Sequence, residues 1–447
     1  MPPARHFTSS PSEETGQLVA RSRELALPLR TPGDLDPLLR RIGDARHVLL
    51  GEASHGTSEY YTWRMRLSQR LIREKGFSFI AVEGDWPDCY RVNRFVKGLP
   101  HSGESARAVL HAFERWPTWM WANEEVVALV EWMRRHNHGL SDANKVGFYG
   151  LDVYSLWESL YAIVSYLQRV DPSALPAAYK AFRCFQPYGE DVQEYARATR
   201  FVPTSCAEEV VALLAQMRAK AEPYRADGRE GYFQAEQNAL VLKNAESYYR
   251  AMVRGGPDSW NIRDRHMTET LKRLMAHHGP GAKGIVWEHN THIGDARYTD
   301  MAEDNMVNIG QLVREAHERT DVVLVGFGSH RGSVVAGNRW DAPMQTMGVP
   351  PARTGSWEDV LHRAGTEDKL LLMPEARGDD PLLDKRGHRA IGVVYHPEYE
   401  HLGNYVPTVL PRRYDAFLYL DETHALHPLH IIPQTQREVP ETYPSGV

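Results

Sequence analysis

The sequence has little cysteine and no excess of positive charge. Its 447 residues include three cysteines, Cys89, Cys184 and Cys206, which is an odd number without the spacing of a metal-binding motif. This count argues against a disulfide framework and favours a reducing compartment. The formal net charge is −6 at pH 7, so the chain lacks the basic character typical of proteins that bind nucleic acid or acidic lipid.

Long apolar segments are also absent. No run approaches the roughly 18 apolar residues that a membrane span needs. Residues 1–16 are polar and rich in proline and serine, without the apolar core of a signal peptide. The sequence therefore predicts a soluble, cytoplasmic protein with a mobile tail over residues 1–16. Neither nucleic acid nor a membrane is an expected partner, and the oligomeric state is not indicated.

Several common catalytic and cofactor-binding motifs are missing as well. The nucleophile elbow G-x-S-x-G of serine hydrolases, the Walker loop and the dinucleotide fingerprint G-x-G-x-x-G do not occur. The pair His289-x-x-His292 offers ligands of the type that zinc uses, but there is no H-E-x-x-H. We therefore expect no cofactor, and the histidine pair leaves a metal ion as an alternative.

What the chain does contain is a series of short apolar runs that alternate with helical periodicity. This order predicts an α/β fold with a mostly parallel central sheet flanked by helices. Residues 155–278 lack strand-like runs and predict an all-helical insertion that forms one wall of a cleft, between core segments 17–154 and 279–447. The predicted strands lie at 47–51, 77–82, 145–150, 283–287, 321–328, 369–373, 390–400 and 412–423.

Five of the predicted strands end in carboxylates or histidines. The carboxyl ends of parallel strands meet at one edge of a sheet, where ligands bind. Carboxylates and histidines tune each other's pKa values and suit general acid–base catalysis. The residues at these ends are Glu52 and His55, Glu83 and Asp85, Asp152, His289 and His292, and His330.

Two further groups of residues stand beside these strand ends. Arg64 lies near the start of the helix after the first strand, where its side chain can fold back towards Glu52. Arg263, Asp264 and His266 lie at another predicted helix start, and we interpret them as a surface ion pair of little energetic weight. Four tryptophans, of which Trp116 and Trp119 are the first, lie within residues 116–132; we favour packing in the core over a ligand-binding wall.

Five motifs together resemble the erythromycin esterase family, over about residues 40–430. They are GEASHGT, FIAVEGDWPD, GLDVYSLW, WEHNTHIGDAR and GVVYHPEYE. The resemblance implies a carboxylic ester hydrolase that opens the macrolactone ring of a macrolide antibiotic such as erythromycin, and so an antibiotic-resistance activity on a small apolar ester. It also implies that His55 is the general base and that Glu52, Arg64, Glu83 and one histidine of HNTH complete the site. We assign that histidine to His289, with His292 as the rival and Asn290 as a further candidate.

The expected reaction is hydrolysis by an activated water molecule. His55 takes a proton from water that Glu83 and Glu52 help to orient, and Arg64 or protonated His289 stabilises the oxyanion. Among the aromatic residues, Trp86, Trp116 and Trp119 are candidates for binding the apolar face of the substrate. Two alternatives stay open: a haem- or metal-binding protein of related fold, and a hydrolase of a non-macrolide ester or a saccharide-linked substrate.

Overall fold

A central, mostly parallel sheet organises the molecule. The computed structural model describes residues 11–189, 192–200, 205–227 and 229–430. Its strands are β1 (Ala26–Pro28), β2 (His47–Leu50), β3 (Phe79–Asp85), β4 (Gly147–Asp152), β5 (Gly284–Trp287), β6 (Val322–Ala336), β7 (Gln345–Val349), β8 (Lys369–Leu372), β9 (Arg386–Arg389), β10 (Tyr405–Thr408) and β11 (Ala416–Thr423). Nine of them form one sheet in the order β1-β8-β11-β6-β2-β5-β3-β4, with β7 paired to β6, while β9 and β10 form a separate pair. The predicted α/β class is confirmed.

Strand β2 lies at the centre of the parallel part of this sheet. It pairs in parallel with β5 and β6, so that Leu50 faces Trp287 on one side and Val325 on the other. Strand β3 pairs in parallel with both β5 and β4. All four residues of β2 are buried, which explains why its sequence is apolar without alternation. The carboxyl ends of β2, β5, β3 and β4 therefore lie side by side.

Helices cover both faces of the sheet. Those of the core are α1 (Pro11–Leu25), α2 (Asp36–Ile42), α3 (Ser58–Lys75), α4 (Trp86–Lys97), α5 (Ala106–His111), α6 (Glu124–Asn137), α14 (Asn290–Ile293), α15 (Ile309–Ala316), α16 (Trp357–Arg363), α17 (Glu400–Gly403) and α18 (Leu410–Arg413). Helix α3 buries its apolar stripe, which includes Tyr60, Trp63, Leu67 and Leu71, as its spacing predicts. It ends at Gly76, whose φ of 70° places it in the left-handed region that glycine tolerates.

Between β4 and β5 the chain forms only helices in its described residues. They are α7 (Leu156–Val170), α8 (Leu175–Phe185), α9 (Val192–Ala198), α10 (Ala207–Ala219), α11 (Ala221–Asp227), α12 (Arg229–Met252) and α13 (Asp258–His278). Helices α7 to α12 share a hydrophobic core of their own. Helix α13 instead packs against both α12 and the central sheet, through β4, and against α15. The last helix of the insertion therefore links it to the central sheet, while α7 and α12 contact α4 of the core.

The cysteine expectation is wrong for one pair. Cys184 and Cys206 form a disulfide across 22 residues, because the end of α8 and the residue before α10 bring their Cα atoms within 5.8 Å. Pairing of this kind depends on tertiary proximity, which cysteine count alone does not reveal. Cys89 is free and buried. The cysteines thus give no support to a reducing compartment.

Three predicted elements have different bounds or character. The strand predicted at 321–328 continues as β6 to Ala336, because it pairs with β11 and then with β7. Residues 390–400 make isolated bridges to Ser54 and Gly337 and not the predicted strand. Of the predicted tail, residues 11–16 form the first turns of α1, and residues 1–10 lie outside the described residues. In the described chain no helix is long and apolar enough to cross a membrane.

Candidate active site

The loop after β2 holds His55 in a fixed orientation. His55 Nδ1 donates to Glu52 Oε1 at 2.9 Å, and Arg64 Nη2 donates to Glu52 Oε2 at 2.5 Å. The Arg64 guanidinium lies over the rings of Tyr61 and Trp287, at 4.3 and 4.7 Å from their centroids, and is fully buried. Since Nδ1 is the donor to Glu52, the Nε2 atom of neutral His55 carries a lone pair. This Nε2 lies 4.0 Å from Glu83 Oε1.

Burial and charge oppose each other at His55 and Glu83. Burial lowers the pKa of His55, but Glu83 and Glu52 outweigh it and raise this pKa above its ordinary value. Burial likewise favours the neutral form of Glu83, whereas the interactions with His292, His55 and Arg263 bring its pKa well below the ordinary value. Glu83 is therefore a carboxylate at neutral pH, and His55 titrates at a pH above that of a free imidazole.

Arg263, in the second turn of α13, joins two strand ends. Its Nε and Nη2 donate to the two carboxylate oxygens of Asp152, at 2.9 and 2.7 Å. Nη2 also donates to Glu83 Oε1 at 2.8 Å, and the guanidinium lies 4.9 Å from the centroid of the Tyr154 ring. Bidentate pairs of this type fix geometry as well as charge. Arg263 thereby holds the carboxylates of β3 and β4 together.

His292 occupies the far side of the same network. Its Nδ1 lies 3.0 Å from both carboxylate oxygens of Asp264, and its Nε2 lies 3.1 Å from Arg263 Nη1 and 3.4 Å from Glu83 Oε1. The tautomer that donates from Nδ1 to Asp264 leaves Nε2 to accept from Arg263. The Trp260 ring stacks on the His292 imidazole at 4.5 Å. Both nitrogens of His292 are thus engaged within the protein.

His289 has the opposite character. Its backbone N–H donates to Glu83 Oε2 at 2.8 Å, and its Nδ1 accepts from the Thr291 backbone N–H at 3.3 Å, with the Thr291 hydroxyl 2.8 Å away. Burial and the neighbouring His55 lower the pKa of His289 well below its ordinary value, so the ring is neutral. Because Nδ1 accepts, Nε2 carries the proton. This buried N–H makes no hydrogen bond of good geometry within the described chain, although the Ala53 carbonyl acts on the ring. The expectation of a protonated His289 is therefore corrected.

These groups line a cavity of about 110 Å³ that opens to solvent. The charged and histidine side chains that line it include His55, Glu83, Asp152, Arg263, His289 and His292. Its aromatic lining comes mainly from residues 113–121 and Trp340, with the rings of Trp116 and Trp340 4.6 Å apart. Of the insertion helices, only α13 contributes lining residues, Trp260 and Arg263. In the structure, then, most of the wall belongs to the core.

Asp85 also lines this cavity, on its aromatic side. The Asp85 carboxylate pairs with Arg115 Nε at 2.7 Å. Burial raises the pKa of Asp85 well above its usual range, although Arg115 opposes this shift. Asp85 is therefore separated in role and position from the His55–Glu83 pair.

Six predicted site residues do not line the cavity. One is Glu52, which is the hydrogen-bond partner of His55 Nδ1. Arg64 lies behind Glu52, and Trp119 is buried edge-to-face against Trp116. Trp86 stacks on Tyr149 in the hydrophobic core. Asn290 bonds to the backbone of Phe327 in β6, where it supports the loop after β5.

The last of the six residues is His330, which stacks on His362 at 3.7 Å. It was expected at a strand end, but β6 continues past it, so its side chain leaves the sheet on the side of α16 and not at the carboxyl edge.

The interpretation of Arg263, Asp264 and His266 as a surface pair is wrong, because all three are buried. A signal for this was present in the sequence. Trp260, Asp264, Met267, Leu271 and Leu274 recur at intervals of four and three, so Asp264 falls within the apolar stripe of α13. A carboxylate in such a stripe needs a buried partner, since an unpaired buried charge is costly. For Asp264 that partner is His292.

In the part of the chain that the structure describes, no group of three or more histidine, cysteine, aspartate or glutamate side chains is arranged to hold a metal ion. The groups that are present could remove a proton at His55, hold a water molecule beside Glu83 and donate a hydrogen bond from His289.

Comparison with known proteins defines the class. The model of the family described as erythromycin esterase matches residues 72–423. The chain therefore belongs to the erythromycin esterase family, which supports a hydrolase acting on esters. The match begins after Glu52, His55 and Arg64. Glu52 and His55 lie in the motif GEASHGT, and Arg64 is linked to them by its contact with Glu52.

Particular relatives agree with this membership. The chain is 23% identical to an erythromycin esterase type II of Escherichia coli over 321 residues, which is 68% of this chain and 73% of that protein. A structure of a succinoglycan biosynthesis protein has a TM-score of 0.74 at 23% identity and covers 94% of this chain and 100% of its own. A mutant of the erythromycin esterase EreC in its open conformation has a TM-score of 0.65 at 16% identity, covering 89% of this chain and 97% of its own. At these identities the structures establish a shared fold.

Proposed function

We propose that the protein hydrolyses a bulky apolar carboxylic ester, with the macrolactone ring of a macrolide as the substrate class, by water that His55 activates. The observation that carries the proposal is the arrangement of three groups that line one cavity: His55 Nε2, Glu83 Oε1 at 4.0 Å from it, and the His289 ring, whose centroid lies 4.9 Å from that of His55. Two acceptors at this separation are close enough to share one water molecule.

In the proposed reaction His55 Nε2 removes one proton from the water while Glu83 accepts a hydrogen bond from the other. The water oxygen attacks the ester carbonyl carbon, and the π electrons of the carbonyl bond move to its oxygen, which gives a tetrahedral oxyanion. The carbonyl bond then re-forms and the C–O bond to the alkoxide breaks, while protonated His55 gives its proton to the leaving oxygen, so the products are a carboxylic acid and an alcohol. Glu52 supports the imidazolium through Nδ1, and Arg64 holds Glu52 in place.

The oxyanion donor in this proposal is the neutral His289 ring. His289 lines the cavity, and its neutral ring needs no change of protonation to donate from Nε2. Arg64, the alternative donor expected from the sequence, is separated from the cavity by Glu52. One oxyanion donor typically contributes about 3–4 kcal/mol of transition-state stabilisation.

The aromatic lining of the cavity supports an apolar substrate. The Trp116 and Trp340 rings lie 4.6 Å apart and are tilted by 56° to each other, and Trp116 is fixed by its indole N–H bond to the Ala342 carbonyl at 3.0 Å. Such cavities bind ligands through apolar area, with a few polar groups that set orientation.

The test is incubation of the purified protein with macrolides of several ring sizes, followed by mass spectrometry for the gain of one water. The matched control is His55→Gln, which keeps the fold and removes the base, and a simple aryl ester is tested in parallel. We expect ring opening by the parent and none by the variant. Hydrolysis of the aryl ester alone would keep the esterase and reject the macrolide class; no hydrolysis of any ester would reject both.

A further inference from the structure

Arg263 occupies a position between the insertion and the acid–base pair. It belongs to α13, yet its guanidinium bonds to β3 through Glu83, to β4 through Asp152 and to α14 through His292. Only about 6% of the residue is exposed. In addition, Glu83 Oε1, which accepts from Arg263, is the oxygen that faces His55 Nε2.

We propose that Arg263 and Asp152 act as a matched pair of positioning residues that sets the charge felt by His55 and Glu83, so that helix α13 of the insertion controls the acid–base pair of the core. The catalytic role of this pair rests on the proposed function. The effect of the two charges on His55 does not, because it can be measured in the protein without substrate.

The charges around His55 define what the pair has to balance. The groups that face it are Glu52, which is paired with Arg64, then Glu83, Arg263 and His289. Without a counter-ion, Arg263 would place a full positive charge beside a histidine that has to accept a proton. The bidentate contact with Asp152 compensates this charge and leaves the third hydrogen bond of the guanidinium to orient Glu83.

Glu83 needs this orientation because it has two tasks. Its Oε2 accepts from the backbone N–H of His289, and its Oε1 accepts from Arg263 while facing His55. A carboxylate held at both oxygens cannot rotate away from the imidazole. Loss of Arg263 would free Oε1 and remove one positive charge at the same time.

The experiment measures the pKa of His55 by NMR titration of histidine-labelled full-length protein, with the signal assigned from His55→Gln. We expect Arg263→Met to raise this pKa and Asp152→Asn to lower it, each by about one pH unit for a buried unit charge at an effective dielectric of about 20. The double variant, which removes both charges, should return close to the parent value. Glu230→Gln, which removes a partly buried insertion carboxylate on α12 that binds Lys97, is the matched control and should leave the titration unchanged.

Shifts of the two single variants in the same direction, or no shift in either, would overturn the proposal. Asp152→Asn preserves side-chain shape, so it decides the question by its direction even if Arg263→Met does not fold, as judged by circular dichroism. Arg263→Lys keeps the charge without the bidentate contact and should restore the pKa but not the full kcat. If the shifts occur and even the parent hydrolyses no ester, the coupling stands and the proposed function fails.

Discussion

The core and the insertion both reach the cavity, but by different structural routes. The core supplies four neighbouring strand ends, which carry His55, Glu83, Asp152 and the HNTH segment, and their convergence follows from parallel pairing. The insertion supplies one helix, α13, while α7 to α12 pack around a separate hydrophobic core. The two regions therefore do not divide acid–base groups and substrate-binding surface between them. Helix α13 of the insertion carries the cavity-lining Trp260 together with Arg263 and Asp264 of the charge network.

The largest effect is expected where the core alone acts. Replacing His55 with glutamine should lower kcat by about 10²–10⁴, the usual contribution of a general base, without loss of stability. Steady-state kinetics and thermal unfolding, measured on the same preparation, check this. If the His55→Gln variant is active, another residue is the general base, and the loop after β2 does not carry it.

His289→Gln should lower kcat somewhat less than His55→Gln does. Its effect should be on kcat, whereas replacing a residue that binds substrate should change KM. Loss of one oxyanion donor should lower kcat by about 10²–10³ with little change in KM, since the donor acts mainly on the transition state. His292→Gln is the comparison, because both nitrogens of His292 are bonded within the protein. A loss of kcat confined to His292→Gln would exchange the roles of the two histidines.

The same contrast explains how far the sequence could predict the site. Apolar runs ending in Glu52, Glu83 and Asp152 were recognisable, because a buried parallel strand needs apolar residues on both faces and its carboxyl end is fixed by topology. Arg263 could not be placed in the same way, since its partners lie 180 and 111 positions away in the chain. The prediction for His330 was wrong for a complementary reason. The local sequence does not show whether a strand ends or continues into a new pairing, and β6 continues past His330.

The pH dependence of catalysis should report the core charges. His55 has to be neutral to accept a proton, and its pKa is raised by Glu83 and Glu52, so kcat/KM should fall as the pH drops through a value above the ordinary ~6.5. A profile of kcat/KM between about pH 5 and 9 measures the midpoint of this acid limb. Glu52→Gln should move the midpoint down, since it removes a negative charge bonded to the imidazole. A midpoint below that of free imidazole in the parent would contradict the charge balance described here.

The KM values of tryptophan variants test whether the aromatic wall of the core binds the substrate. Trp116→Ala should raise KM about tenfold, since loss of part of a buried aromatic contact costs about 1.5–3 kcal/mol at most, and should leave kcat nearly unchanged. Trp132→Ala is the matched control, because Trp132 stacks on His136 outside the cavity. Equal KM values for Trp116→Ala and Trp132→Ala would indicate that the insertion, and not Trp116 of the core, binds the substrate.

The smallest effect on activity is expected from the disulfide that joins α8 to the start of α10. Neither Cys184 nor Cys206 lines the cavity, and α13 is held to the core by Arg263 and Asp264, whose partners lie outside the insertion or on α13 itself. Removing the cross-link frees a loop of 22 residues in the unfolded chain, which costs about 3 kcal/mol in the loop-entropy model. The double change Cys184→Ser and Cys206→Ser should therefore lower Tm while kcat/KM stays within about twofold of the parent at temperatures where both are folded. Parallel measurement of Tm by circular dichroism and of kcat/KM decides the matter. If kcat/KM fell together with Tm, a change in the packing of α7 to α12 would affect the charge network through α13. The whole insertion, and not α13 alone, would then influence catalysis.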